Sequence, residues 1–341
     1  GTFVLATGVV FLQVAANPYV TAIGAPETAS SRLNLTQALN SIATMIAPWL
    51  ISVAIFKGLE FPRDAAVAAG RVPLPFIAMG VIVIAVAVAI FSIKLPAIKV
   101  EEGEKKSIWN YPHVVLGSIA IFAYVGCEVG NAGLIINYLK NSLNMTPELA
   151  STYAAIYWGG AMIGRFFGSF MFSDMSRSKK ITYALPVLLL AFVAGSFVTE
   201  WNWTIGLTFA IIALVNFFIM QVGRGKAART LAIFTLVAAL LDLTTTFTTG
   251  SVALWTVISI GLFNSIMFPN IFSLAVKDLD NAHLSGASGV INSLIIGGAI
   301  IPPLMGSVAD NFGYTFAFIV PAIGYFYIFF YAVKGSTIRR S

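Results

Sequence analysis

The sequence predicts an all-α membrane protein, and three observations carry that expectation. Hydrophobic residues make up 58% of the 341 and charged residues only 10%, with a mean hydropathy of +0.88, far from the composition of soluble domains. The apolar residues come in runs of about 18–25, enough to cross a bilayer as helices. The connections are short turns with one exception, 95–112 (PAIKVEEGEKKSIWNYPH), which is the expected divide between two membrane halves.

Eleven spans are predicted. The first, 2–23, opens directly on Gly1 without a charged flank or signal-peptide pattern, so the chain is expected to start partway through a longer protein. Span 35–56 follows a polar turn and carries amides, whereas 74–94 is apolar as far as Phe91. Span 113–139 encloses a carboxylate, Glu128, and 148–172 carries Gly160, Gly164 and Gly168, a small-residue stripe that lets helices approach closely. Spans 181–199 and 203–222 form an apolar pair, and 229–247 holds Asp242 near its outer end. Span 251–276 contains Asn264 and Pro269, 285–307 contains Asn292, and 314–333 is rich in aromatic residues.

Basic residues orient the spans. With 95–112 on the cytoplasmic side, the loops there, counting Arg165 with the 148–172 end, hold sixteen of the twenty Lys and Arg, leaving Lys57, Arg63, Arg71 and Lys140 outside. The net charge of +6 therefore reads as membrane orientation, with no basic domain for nucleic acid. Cys127 is the sole cysteine and lies in an apolar run, and His113 and His283 are far apart, so neither a disulfide framework nor a metal site is expected. No phosphate loop or nucleophile elbow is present, and no cofactor or enzymatic activity is expected.

Gln13 and Asn17 share a helical face, as do Gln37, Asn40 and Thr44 on the next span. In hydrocarbon an unpaired polar group costs roughly 2–7 kcal/mol, so these amides must face protein, water or a polar ligand. Asn17 is the exception in its expected role: Pro18 frees the carbonyl of Val14, and a neighbouring amide would satisfy it. Glu128 lies on one face with Tyr124 and Asn131, and a carboxyl inside a span is a functional candidate, for ligand contact or proton exchange. The alternative is an ion pair with Arg165. Asp242 is expected at the interface, hydrogen-bonded by Thr244, Thr245 and Thr246, and Tyr157 or Trp158 could offer a flat apolar surface. A parallel repeat adds weight to Asn264 and Asn292 as ligand contacts. Gln13 and Pro18 recur as Asn264 and Pro269 at a spacing of 251 residues, and Asn40-Ser41 recurs as Asn292-Ser293 at 252.

QVAANPYVTAIG, SSRLNLTQALNS, YVGCEVG at 124–130 and GLFNSIMFPNIFSLAV at 261–276 together resemble the fucose/galactose/glucose:proton symporter family of the major facilitator superfamily, above all its glucose/galactose branch. The resemblance implies a two-bundle transporter in the bacterial cytoplasmic membrane, with 1–94 as the remainder of the N-terminal bundle (family helices 4–6), 95–112 as linker, and 113–341 as the C-terminal bundle. Two extra helices at 181–222 depart from the family pattern. The family's first three helices, with a proton-linked aspartate on the first, would lie outside this chain. Gln37 and Asn40 occupy the family's amide positions, and Gln13 stands where fucose-type members carry an acid; an amide does not titrate near neutral pH. The turn Ser173–Arg177, with Arg165 before it, resembles the superfamily's cytoplasmic gating turn, making Arg165, Asp174 and Arg177 the gating candidates. The expected substrate-binding set is Gln13, Gln37, Asn40, Glu128, Asn131, Asn264 and Asn292, with Glu128 also the proton-coupling candidate.

The expected function is secondary active import of a hexose by alternating access, with the sugar as ligand, a proton as coupling ion and the bilayer as partner. An uncoupled sugar facilitator and a non-transporting membrane sensor or assembly subunit remain as alternatives.

Overall fold

The computed structural model describes residues 2–51, 54–55, 65–96, 107–279 and 281–337. Among the described residues there is no strand, and eight helices are each long and apolar enough to cross a membrane. Most of the connection 95–112 lies outside the described residues. The helices group into two compact units, residues 1–41 with 99–341, and residues 42–98.

The smaller unit holds the end of α2 (Ala29–Ile51), the short α3 (Ala65–Arg71), and α4 (Pro73–Ser92). Pro73 opens α4, where a missing N–H costs nothing. No residue of α4 is buried, and the helix is apolar on every side, as a lipid-facing rod would be.

The larger unit begins with α1 (Thr2–Ala22) and the first half of α2, and continues through α5 (Pro112–Ser142), α6 (Pro147–Met171), α7 (Arg177–Val198), α8 (Trp203–Val222) and α9 (Ala227–Phe247). The predicted span 251–276 is two helices, α10 (Gly250–Asn264) and α11 (Met267–Ala275), and 285–307 is likewise interrupted, by a 3-10 turn between α12 (Asn281–Ser293) and α13 (Gly297–Phe312). The last span is α14 (Ile319–Phe330), which runs on into one π turn. Pro269 explains the α10–α11 break: it has no N–H for the carbonyl of Ser265, so the ladder opens there.

α5 is the central rod, packed by α6, α11, α12, α13 and α14, while α9 is held by α10, α11 and α14. α7 and α8 form a hairpin that packs on itself and on α6, with α8 also touching α9 and α10. The glycine stripe on α6 sets two close approaches. A Cβ at Gly160 would lie 3.0 Å from the Leu262 nitrogen and one at Gly164 would strike Ser265, both at the α10 end, whereas one at Gly168 would lie 2.5 Å from the Asn34 Oδ1 of α2.

The C-terminus of α1 is closed by a side chain from α2. Arg32 donates from Nε to the Val20 carbonyl at 2.8 Å, from Nη2 to that of Thr21 at 2.7 Å, and from Nη1 to that of Ala25 at 3.0 Å and the Thr28 hydroxyl at 2.7 Å. The carbonyls of Val20 and Thr21 are among those a helix end leaves unpaired, and a cation suits that end of the dipole. Arg32→Met is therefore expected to lower the thermal midpoint of the detergent-solubilised protein, by the equivalent of about 1–3 kcal/mol; an unchanged midpoint would show that this cap is dispensable.

Candidate functional site

Arg165 is the hub of the larger unit. Although counted above among the loop cations, it is buried in α6, because its guanidinium finds acceptors on three other helices. Nη2 meets Glu128 Oε1 of α5 at 3.2 Å, Nη1 donates to the Ser41 hydroxyl of α2 at 2.6 Å, and Nε donates to the Ser265 carbonyl at 3.2 Å. That last carbonyl is the one Pro269 frees, so a fork of fixed donors both neutralises a carboxylate and repairs a broken helix. The Tyr124 hydroxyl, one turn before Glu128, feels both charges and lies within hydrogen-bonding reach of both side chains without the geometry of a closed bond.

From Glu128 a second chain runs into the core. The Tyr157 hydroxyl donates to the main-chain carbonyl of Glu128 at 3.2 Å and accepts from Asn264 Nδ2 at 2.9 Å. Asn264 Oδ1 accepts from the Tyr325 hydroxyl at 2.6 Å, which in turn accepts from Asn131 Nδ2 at 3.4 Å. Every hydroxyl gives one proton and takes one, so the polarity of the chain is fixed from Asn131 to Glu128. Tyr157 is spent in this chain and nearly fully buried, rather than offering an open flat face.

Asp242 lies beside that chain, fully buried, where an interfacial position was expected. Its threonine neighbours do not solvate it: Thr246 bonds its main-chain carbonyl at 3.0 Å, Thr245 turns to Thr256, and Thr244 bonds Leu240. The Asn131 amide of α5 is the side chain within hydrogen-bonding reach of the carboxyl, without the geometry of a closed bond, and Cys127, Tyr157 and Tyr325 lie in electrostatic reach. The sequence signal was present, since a lone acid inside an apolar run is expensive and functional by default. The three threonines that follow it suggest local hydrogen bonding instead, but on the helix their hydroxyls turn back to carbonyls.

The first proline is repaired in the same way as the second, but not by the expected residue. The Ser288 hydroxyl of α12 donates to the Val14 carbonyl at 3.4 Å, while the buried Asn17 Nδ2 has no partner. Asn292 holds Ser288 from one turn below, donating to its carbonyl at 2.8 Å and its hydroxyl at 3.1 Å. The two members of the repeat thus differ in backbone, because α1 runs unbroken through Pro18 whereas α10 ends before Pro269.

Along α2 the surroundings change from closed to open. Ser30 bonds the Ser273 hydroxyl at 2.6 Å, Ser31 bonds the Ser169 carbonyl, and Leu33 and Asn34 are wholly buried. Beyond them Gln37 is half-buried and Asn40 exposed, and Gln13 on α1 is half-buried as well. The side chains of Gln13 and Gln37 make no hydrogen bond among the described residues, while the Gln37 carbonyl accepts from Ser41 at 2.7 Å. Asp174 sits exposed in the α6–α7 turn and Arg177 exposed at the start of α7; neither is a partner of Arg165, and Asp174 interacts with Lys180. The expected sites are therefore dispersed: Glu128, Arg165, Asn131 and Asn264 form one buried network, Asn292 braces α1, and Gln13, Gln37 and Asn40 remain accessible.

Long apolar helices, two of them interrupted around a buried ion pair, are those of a multi-pass membrane protein, and solved structures give the class: a transporter of the major facilitator fold. A crystal structure of the Escherichia coli fucose:proton symporter superposes with a TM-score of 0.70 at 24% identity, over 94% of this chain and 72% of that one. A second structure of that fold, described as a major facilitator superfamily transporter in the outward conformation, matches equally well at 25% identity. No family model matches the chain. The glucose/galactose transporter of Brucella abortus is 40% identical over 98% of this chain and 70% of its own length, and the L-fucose-proton symporter of Haemophilus influenzae is 25% identical over 99% and 74%. The chain belongs to the glucose/galactose transporter family, as its motifs led us to expect.

Proposed function

We propose that the chain forms the membrane core of a secondary active transporter in a bacterial inner membrane that imports a hexose, glucose, galactose or fucose, together with a proton. One observation carries the reading beyond kinship: the open amide of Gln37 stands on the same helical turn as Ser41, whose hydroxyl joins the Gln37 carbonyl to Arg165 and hence to Glu128. A sugar that moves α2 therefore pulls on the intramembrane charge pair, which is how ligand and proton come to favour the same conformer. Neutral amides suit hydroxyls, which need donors and acceptors but no charge. Glu128 is the proton-coupling candidate, and Arg165, Asp174 and Arg177 are the gating candidates.

A specific feature favours uncoupled facilitation as the second reading. Gln13 is an amide where fucose-type relatives are expected to carry an acid, and Glu128 is already neutralised by Arg165. The double variant Gln37→Ala/Asn40→Ala is expected to weaken hexose binding to the purified protein by about tenfold or more, the worth of one or two hydrogen bonds. Unchanged affinity for every hexose bound by the unaltered protein would remove these residues from the site.

A further inference from the structure

At the junction of α6, α7, α8 and the turn after α8 a cavity of about 610 Å³ lies under the ends of the α7–α8 hairpin. Its polar wall is Arg177 on the first turn of α7, Lys180 one turn on, Gln221 at the end of α8, and Arg224 in the following turn. Its remaining wall includes Phe218 and Val222, which are 58% and 56% exposed on the outer face of α8. This cavity belongs neither to the amide wall nor to the Arg165 network.

The three cations are not consumed by the protein. The side chains of Arg177 and Arg224 make no hydrogen bond or ion pair among the described residues, and the Lys180 ammonium donates to the Met171 carbonyl at 2.9 Å. Asp174 is the acid in electrostatic reach of Lys180, and it is exposed to solvent. The turn that presents Arg224 is a costly one: Arg224 has φ of 53° and Gly225 has φ of 69°, so two consecutive residues are left-handed. Three converging positive charges facing one acid call for an anion with several acceptor oxygens. The apolar strip of Phe218 and Val222 beside them calls for a ligand that also has a hydrocarbon part. Helix ends on the side with the basic loops lie at the level of cytoplasmic-leaflet headgroups, which carry negative charge.

We propose that this cavity binds the phosphate of an anionic phospholipid, with its acyl chain along Phe218 and Val222, clamping the α7–α8 hairpin to α6. Free phosphate offers the same oxygens without the tail, so the experiment must separate the two. The whole protein is purified in detergent, delipidated, and titrated by native mass spectrometry with cardiolipin, phosphatidylglycerol and phosphatidylcholine, each with and without inorganic phosphate in excess. Expected are tight retention of the anionic lipids over phosphatidylcholine, persistence of that retention in excess phosphate, and weakening by about thirtyfold in Arg177→Gln/Arg224→Gln. Both arginines are exposed, and an unaltered thermal midpoint checks that the variant is folded. Equal retention of phosphatidylcholine, or an unaffected double variant, would overturn the site. Displacement of the lipid by inorganic phosphate would overturn the lipid assignment in favour of a soluble phosphate.

Discussion

Arg165→Met is expected to be among the most damaging single substitutions in the chain. It strands the Glu128 carboxylate, with a side chain 12% exposed, in a core whose other nearby polar groups are neutral, and it unpairs the Ser265 carbonyl that Pro269 has already deprived of its helix partner. Breaking a buried pair from one side costs about 3–5 kcal/mol, because the survivor stays charged and unsolvated. The yield of monodisperse protein in detergent should collapse. Glu128→Gln/Arg165→Met leaves no orphan charge and should recover much of the folded protein while remaining unable to accumulate sugar. If Arg165→Met alone were as stable as the unaltered chain, the pair would have no structural role and the hub would be misassigned.

Gly261→Val is the second large effect. A Cβ there would fall on the main-chain oxygen of Tyr157 and lie 2.9 Å from its carbonyl carbon, so backbone meets backbone and no rotamer relieves it. α6 and α10 must part, taking with them the 2.9 Å bond from Asn264 to Tyr157. Overpacking of this kind costs about 1–3 kcal/mol or more. Thermal unfolding of Gly261→Val beside Gly133→Ala provides the check, since a Cβ at Gly133 meets nothing within 4 Å. Gly261→Val should unfold well below Gly133→Ala, and coincident midpoints would contradict the close approach.

The spans were legible because bilayer thickness imposes long apolar runs, and the family was legible from Gln37, Asn40 and the segments around Pro18 and Pro269. Which polar residues meet was harder to read. Glu128 and Arg165 are 37 residues apart on different helices, and sequence offered the pair only as an alternative to a free functional acid. Pro18 and Pro269 announced freed carbonyls, yet their partners, Ser288 and Arg165, lie 274 and 100 residues from the acceptors and no local pattern names them. Asp242 was misread for a related reason: the local sequence offered three hydroxyls, and helix geometry turns them away from its carboxyl.

The coupling of an amide wall to the Arg165–Glu128 pair is tested most directly by radiolabelled hexose uptake into proteoliposomes holding the protein, with and without an inward proton gradient. The account predicts glucose, galactose or fucose accumulating above its outside concentration only when the gradient is present, and no accumulation in Gln37→Ala/Asn40→Ala. Equilibration without accumulation would leave a facilitator, and flux no greater than in protein-free liposomes under either condition would contradict transport altogether.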